Sequence, residues 1–289
     1  MINTGLFTQS LAGADPASSA RYSEGVLAGP LSSRPLGARY ADMPIESGAV
    51  LRDRYHIECL HKLGRHGAVY KAFDPVPDAQ VAIKENLIAD PAFRQHFKVE
   101  AAILASVHHP NIPRVVDFLG DDDGSYIVMD FIEGENLAEW VAHESLPPDK
   151  IVQMLEGVFQ ALAYLHSRQP PIIHRDVEPS NVILTPADST ILVDFGFAKM
   201  FDESQPMPRT DQRSDQYSLA ATIFTVLTHH VPVDSLERAV CREAYRPASS
   251  LNPDVPYHVD RALAHAMATK AEDRYDDIET FWRALLGVT

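Results

Sequence analysis

The sequence is poor in cysteine, short of basic residues for its acids, and free of long apolar runs. Only Cys59 and Cys241 occur in 289 residues, so no disulfide framework can form, and two thiols alone cannot complete a zinc site. Lys and Arg number 25 against 40 Asp and Glu, a formal charge of −15. Such a chain lacks the basic surface that binds a nucleic-acid backbone or an anionic membrane. No apolar stretch approaches the roughly 20 residues of a membrane span. Nor do the first residues show a basic region followed by an apolar segment, so no signal peptide is expected. What is present is an ordinary globular balance, 45% hydrophobic and 22% charged. The expectation is a soluble, cytoplasmic protein with no membrane span and no nucleic-acid partner.

Composition shifts near residue 50. Residues 1–49 are rich in Ala, Ser, Gly and Pro, with short apolar fragments and no sustained period. That favours a flexible N-terminal arm, with a patch that docks on a partner as the alternative to a bare disordered leader. From residue 50 the pattern changes. Tyr55–Leu60, Ala68–Phe73 and Gln80–Lys84 read as strands, the first two separated by a loop carrying Gly64 and Gly67. Phe93, Phe97, Ile103, Leu104 and Val107 recur at helical spacing, and Pro110 marks the end of that helix. Strands follow around Val115–Phe118 and Tyr126–Phe131, with a turn over Gly120–Gly124.

After Gly134 the pattern is helical. Ile151, Met154, Leu155, Val158, Leu162 and Leu165 form one apolar stripe, and Tyr217–Thr228 is apolar on nearly every face, as a buried central helix would be. Val259–Thr269 and Asp276–Leu286 read as closing helices. Two short strands, Asn181–Leu184 and Thr190–Val193, flank a turn at Pro186-Ala187-Asp188. The expected class is α+β and bilobal: a small antiparallel β lobe with one helix over about 50–132, and a larger helical lobe over about 133–289. A cleft between two such lobes is where a ligand commonly binds.

Several residues along that cleft match what phosphoryl transfer from a nucleotide requires: a strand lysine for phosphates, a helix glutamate to hold it, an aspartate to orient a hydroxyl, and an Asn/Asp pair for magnesium. Val81-Ala82-Ile83-Lys84, Glu100, His109-Pro110-Asn111-Ile112, His174-Arg175-Asp176, Asn181 and Asp194-Phe195-Gly196 occur in that order. Residues 51 to about 287 thereby resemble a bacterial, eukaryotic-like (Hanks-type) Ser/Thr protein kinase catalytic domain. Ser214–Leu219 resembles the start of that family's central large-lobe helix. Each motif is weak alone; all of them in register are specific.

The resemblance implies ATP and Mg²⁺ as cofactors. It implies Lys84 on the α- and β-phosphates with Glu100 as its ion-pair partner, Asp176 as catalytic base, and Asn181 and Asp194 as magnesium ligands. Gly64 and Gly67 would belong to the phosphate loop, and Val69, Ala82 and Ile183 would sandwich the adenine. Asp130–Ile132 would be the hinge, behind a gatekeeper at Met129. His174, Phe195, Leu104 and Val115 would stack into a spine tying the lobes together.

Three departures qualify that reading. In the ungapped count, Lys62-Leu63-Gly64-Arg65-His66-Gly67 fills the Gly-x-Gly-x-x-Gly positions, so Lys62 replaces the first glycine and His61 an aliphatic residue over the adenine. Glu178 stands where a Ser/Thr kinase carries the lysine that neutralises the transferred phosphoryl group, which inverts the sign beside a polyanion. Asp194 and Asp215 are only 21 residues apart, with no Ala-Pro-Glu motif between them. Arg274, which resembles the arginine that pairs with the missing glutamate, must then find Glu272, Asp276, Asp277 or solvent. Ser204, Thr210 and Ser214 remain as phosphoacceptor candidates. Asp121-Asp122-Asp123 reads as a solvated turn, and the two cysteines as buried or inert thiols. The expected function is a kinase-like domain that binds ATP with Mg²⁺, transfers phosphate poorly and acts through a protein partner. An active Ser/Thr kinase with an unusual substrate platform is the alternative, and a small-molecule phosphotransferase ranks last.

Overall fold

The computed structural model describes residues 44–64, 67–88, 90–121, 124–200, 211–241 and 245–288, all belonging to one compact unit. The arm expected over 1–49 lies outside the described residues as far as residue 43. Residues 45–49 lie on the small lobe: the Ile45 amide donates to the Tyr70 hydroxyl (3.0 Å), and Ile45 and Ala49 pack against the sheet.

The small lobe is a six-stranded antiparallel sheet in the order β1-β2-β3-β4-β6-β5. Its strands are β1 (Val50–Leu51), β2 (Tyr55–Leu63), β3 (Gly67–Asp74), β4 (Ala79–Asn86), β5 (Val115–Asp121) and β6 (Gly124–Asp130). Alternation decides the faces. Ala68, Tyr70, Ala72, Val81 and Ile83 point to one side and bury with Tyr55 and Ile57. Val69, Ala82 and Lys84 point to the other, where α1 (Pro91–Ser106) packs Phe97 and Ala101 against Ile127. That helix starts where the Asp90 side chain accepts the Ala92 N–H (2.7 Å) and Pro91 takes the first position.

The sheet differs from the sequence reading in two places. β2 runs on through His61 to Leu63, read from sequence as loop, because Lys62 and Leu63 pair with Val69 and Ala68 of β3 beyond a bulge at His61. β5 and β6 likewise run to Asp121 and from Gly124, so less of 120–124 is turn; residues 122 and 123 lie outside the described residues.

The large lobe contains β7 (Glu135–Asn136), α2 (Leu137–Trp140), α3 (Pro148–Met154), α4 (Glu156–His166), β8 (Ile172–Ile173), β9 (Val182–Leu184), β10 (Thr190–Leu192) and β11 (Lys199–Met200). It closes with α5 (Gln212–Thr228), α6 (Ser235–Cys241), α7 (Tyr257–Ala266) and α8 (Ile278–Leu285). The apolar stripe read as one helix is two, divided at Leu155, which is itself fully buried. α5 is buried along its length, as its all-round apolar character predicts, and packs on α7, α8 and α3. No described helix is long and apolar enough to cross a membrane. Cys59, expected buried or inert, is exposed on β2, and Cys241 ends α6.

Candidate active site

Register places the first group of residues. Val69 on β3 lies opposite Lys84 on β4 and opposite Lys62 on β2, and Ala82 lies opposite Met129. Directly opposed residues project to one face, so Lys62, Val69 and Lys84 all hang from the roof of the cleft. Glu100 sits on the inward face of α1, 4% exposed, and its Oε1 accepts from Lys84 Nζ at 2.6 Å. Lys84 Nζ also donates to Asp194 Oδ1 at 2.8 Å. One ammonium thus joins the sheet, the helix and the large lobe.

These charges hold each other in place. Burial works against the Lys84 ammonium, but Glu100 and Asp194 outweigh it and keep its pKa above the ordinary lysine value. Burial likewise opposes the Asp194 carboxylate, and the Lys84 charge overrides it, so Asp194 titrates below an ordinary aspartate. Glu100, deeper and sharing the same lysine, is pushed up by burial.

The floor of the cleft is the loop His174–Asn181. Asn181 is buried, and its Nδ2 donates to the Asp176 carbonyl (3.0 Å) and to Asp176 Oδ2 (2.9 Å). Asp176 titrates above an ordinary aspartate because it is desolvated and because Glu178 and Asp194 add negative charge; Asn181 and Lys62 act in the opposite direction. Glu178 is exposed and takes the Ser180 hydroxyl bond. Arg175 and Asp194 both adopt left-handed backbone conformations, φ 71° and 64°. For non-glycine residues each costs on the order of 1 kcal/mol or more.

Sequence reasoning took Asp215 only as part of a helix start. It is fully buried at the first turn of α5 and accepts the His174 N–H (2.8 Å), the Arg175 N–H (2.7 Å) and His166 Nε2 (2.9 Å). Two of those bonds hold the backbone just ahead of Asp176, and the second pins the strained Arg175. No local signal sets it apart, because Asp215 lies in a polar first turn, Gln212-Arg213-Ser214-Asp215-Gln216, ahead of the apolar part of α5. The His174 ring packs edge-on to Phe195 at 4.7 Å, and Phe195 and Leu104 share one core with Val115 against it, joining the four residues expected to form a spine.

Around the expected adenine position, Val69 and Ala82 line the roof. Ile183 on β9 pairs with Ile191 and Asn136, and Met129 packs beside Phe97 and Ile127. The Asp130 N–H donates to the Arg114 carbonyl (3.0 Å), and Asp130 ends β6 opposite Val81 at the start of the expected hinge. In the loop, the Gly64 N–H bonds the Gly67 carbonyl (2.9 Å), and Gly67 lies so close to the Glu85 carbonyl that a Cβ would collide with it. His61 meets the Phe131 ring edge-on at 5.5 Å, beside the hinge.

Arg274 finds none of the carboxylates expected for it. Its Nε donates to the Ala268 carbonyl and its Nη1 to the Arg213 carbonyl, both at 2.9 Å, and its guanidinium lies over the Tyr217 ring at 4.7 Å. Glu272 pairs with Lys270 and Asp276 with Arg213 instead. Ser214 lies in the first turn of α5, where its N–H bonds the Asp211 carbonyl; Ser204 and Thr210 lie outside the described residues.

Over residues 58–218 the chain matches the protein kinase domain family. The chain belongs to that family. It is similar to the serine/threonine-protein kinase PrkC of Bacillus subtilis, 30% identical over 262 residues, which cover 80% of this chain and 40% of PrkC. To PknF of Mycobacterium tuberculosis it is 32% identical over 257 residues, 77% of this chain and 53% of PknF. The chain therefore spans about half or less of these curated relatives' length. Among solved structures, the PknI kinase domain of Mycobacterium tuberculosis (C20A mutant) superposes with a TM-score of 0.69 at 29% identity, covering 85% of this chain and 99% of that one. The domain is a Hanks-type kinase domain of the bacterial Ser/Thr class, with the bilobal α+β architecture of its relatives.

Proposed function

We propose that the kinase domain binds ATP with Mg²⁺ in the interlobe cleft, transfers phosphate slowly, and acts chiefly by binding a protein partner. The observation that carries nucleotide binding is the closed Lys84–Glu100–Asp194 network, 2.6 Å and 2.8 Å long. Such a network presents a charged, fixed ammonium to the α- and β-phosphates. The donor set suits Mg²⁺, which prefers hard oxygens and retains part of its water. Asn181 spends its Nδ2 on Asp176, so its Oδ1 faces outward, and Asp194 spends Oδ1 on Lys84 and the Gly196 N–H. Asn181 Oδ1 and Asp194 Oδ2 would hold the ion. When bound, Mg²⁺ screens the phosphate oxygens and fixes their orientation.

The chain's own residues do the rest. Asp176, held by Asn181, accepts the proton of an attacking hydroxyl. Val69 and Ala82 above and Ile183 below enclose the adenine, Met129 closes the back, and the Asp130 carbonyl and Ile132 bond its edge. Glu178 withdraws the cation that would neutralise the transferred group, and electrostatic stabilisation is the main service a protein gives this reaction. Arg274, bonded to carbonyls instead of a carboxylate, goes with a peptide-docking segment too short for the family's usual platform.

A second reading, an active Ser/Thr kinase with an atypical platform, is favoured by the same assembly of Lys84, Glu100, Asp176, Asn181 and Asp194. One experiment separates them: intact mass after incubation with ATP and Mg²⁺, alongside Asp176→Asn, with nucleotide affinity measured in parallel. Binding without mass gain in either protein supports the regulatory reading. Phosphate gained by the parent alone supports the active kinase. Absence of binding by the folded parent refutes both.

A further inference from the structure

Two of the departures from the family pattern lie on the two sides of the cleft. Lys62 replaces a glycine in the roof and Glu178 replaces a lysine in the floor. Lys62 is opposed to Val69, which is opposed to Lys84, so its side chain leaves β2 on the same face as the lysine of the Glu100–Asp194 network. It is exposed, and among the described residues it has no ion-pair partner. Its charge nevertheless reaches Asp176 in the other lobe, the same carboxylate that Glu178 acts on from below. A long cation on the roof and a carboxylate on the floor thus flank the entrance to one site.

We propose that Lys62 contacts the terminal phosphate of a bound nucleoside triphosphate, supplying from the small lobe the positive charge that Glu178 removes from the catalytic loop. A flexible ammonium with three donors suits such a contact. It has nothing to bind in a diphosphate, so Lys62 separates triphosphate from diphosphate. The inference rests on nucleotide binding at this site, as proposed above. It further assigns the residue that reads the third phosphate.

The test is titration of the purified protein with ATP and with ADP, each with Mg²⁺, by calorimetry. The variants are Lys62→Gln, Lys62→Gly, Lys62→Arg, Glu178→Lys, and Lys62→Gln combined with Glu178→Lys. Because Lys62 is exposed, nucleotide-free melting should be unchanged in the Gln and Arg variants. A charge-assisted phosphate contact corresponds to about tenfold or more in affinity. Lys62→Gln and Lys62→Gly should therefore weaken ATP about tenfold and leave ADP within about twofold, while Lys62→Arg keeps the preference. In the Glu178→Lys background Lys62→Gln should cost ATP binding far less, since the floor again carries the cation. Equal weakening of ATP and ADP, unchanged ATP affinity, or the same loss in both backgrounds overturns the inference while nucleotide binding stands. A cooperatively melting parent that binds neither nucleotide overturns the underlying reading, and this inference with it.

Discussion

Replacing Asp215 by alanine tests whether the catalytic loop is held from below by a helix it does not touch in sequence. Asp215 is fully buried and accepts three hydrogen bonds, two of them from consecutive backbone amides of the loop. Alanine leaves the His174 and Arg175 N–H groups and His166 Nε2 without an acceptor in a closed interior. Each orphaned group costs about 1–3 kcal/mol, so the loss is about 3–9 kcal/mol, a large part of a typical domain's stability. At about 2–4 °C per kcal/mol for a domain of this size, melting should fall by about 10 °C or more. Asp215→Asn retains one carbonyl acceptor and should lose about half as much.

The probe is built in. Trp140 and Trp282 are both buried in the large lobe, and Trp282 stacks on Phe159 at 4.7 Å, so tryptophan fluorescence follows unfolding of the lobe that contains Asp215. Hydrogen exchange gives the local readout: the Arg175 amide should lose protection in both variants, because its bond to Asp215 also restrains a left-handed backbone. Melting of Asp215→Ala within about 2 °C of the parent, with the Arg175 amide still protected, would refute the argument.

Asp74 is buried and its carboxyl is held below the ordinary aspartate value first by its hydrogen bond from Arg54, 2.6 Å at Nη2. A depressed folded pKa contributes stability above the unfolded value, about pH 4, that is lost as pH falls further. Asp74→Asn should therefore lower melting at pH 7 and flatten its acid dependence; an unchanged slope below pH 5 would count against the pair. Asp176 must be ionised to accept a proton, and burial, then Glu178 and Asp194, raise its pKa. Any transfer activity should fall on the acid side at a pH above that of an ordinary aspartate, and Glu178→Lys should move that limb to lower pH; movement upward would refute the assignment. Finally, Gly157 in α4 approaches the Thr190 carbonyl and Asn111 so closely that a Cβ would collide with both. Gly157→Ala should destabilise by about 1–3 kcal/mol in urea unfolding, although alanine in a free helix would stabilise by about 1 kcal/mol.

The strands of the small lobe were legible because their alternation is strict. In β3 the buried positions Ala68, Tyr70, Ala72 and Asp74 follow period two without a break. The cleft end of β2 was not, since a bulge at His61 breaks the period and Lys62-Leu63 is exposed and paired with β3. The break between α3 and α4 was hidden for the opposite reason: Leu155 is as buried as the stripe on either side of it, so periodicity runs through an interruption of the backbone. β7, β8 and β11 are two residues each, too short for any period, and exist because a partner strand reaches them. In the site, the contiguous motifs pointed to residues that the structure brings into contact, Lys84 with Glu100 and Asp194, and Asp176 with Asn181. Asp215 and the carbonyl partners of Arg274 depend on contacts 40 and 61 residues away in sequence, which no local pattern carries.

The charges in the cleft also constrain what can occupy it. Glu100, Asp194, Asp176 and Glu178 place four carboxylates along floor and helix, and Lys84 is shared between the first two. Lys62 adds a second cation, acting on Asp176. A bare polyphosphate would enter a site in which carboxylates outnumber cations two to one. Repulsion of that kind is strongest where water is excluded, because the effective dielectric falls. The same surplus favours the proposed Mg²⁺, and the oxygens that would receive it, on Asn181 and Asp194, are those left over after Asp176 and Lys84 are satisfied. For the nucleotide and Mg²⁺ proposed above, the two would be coupled ligands: the metal would cancel the carboxylate field that opposes the polyphosphate, and the phosphates would add oxygens to the metal's shell. Under that proposal, the reciprocity of linked binding requires nucleotide to raise the site's affinity for Mg²⁺ by the factor by which Mg²⁺ raises its affinity for nucleotide.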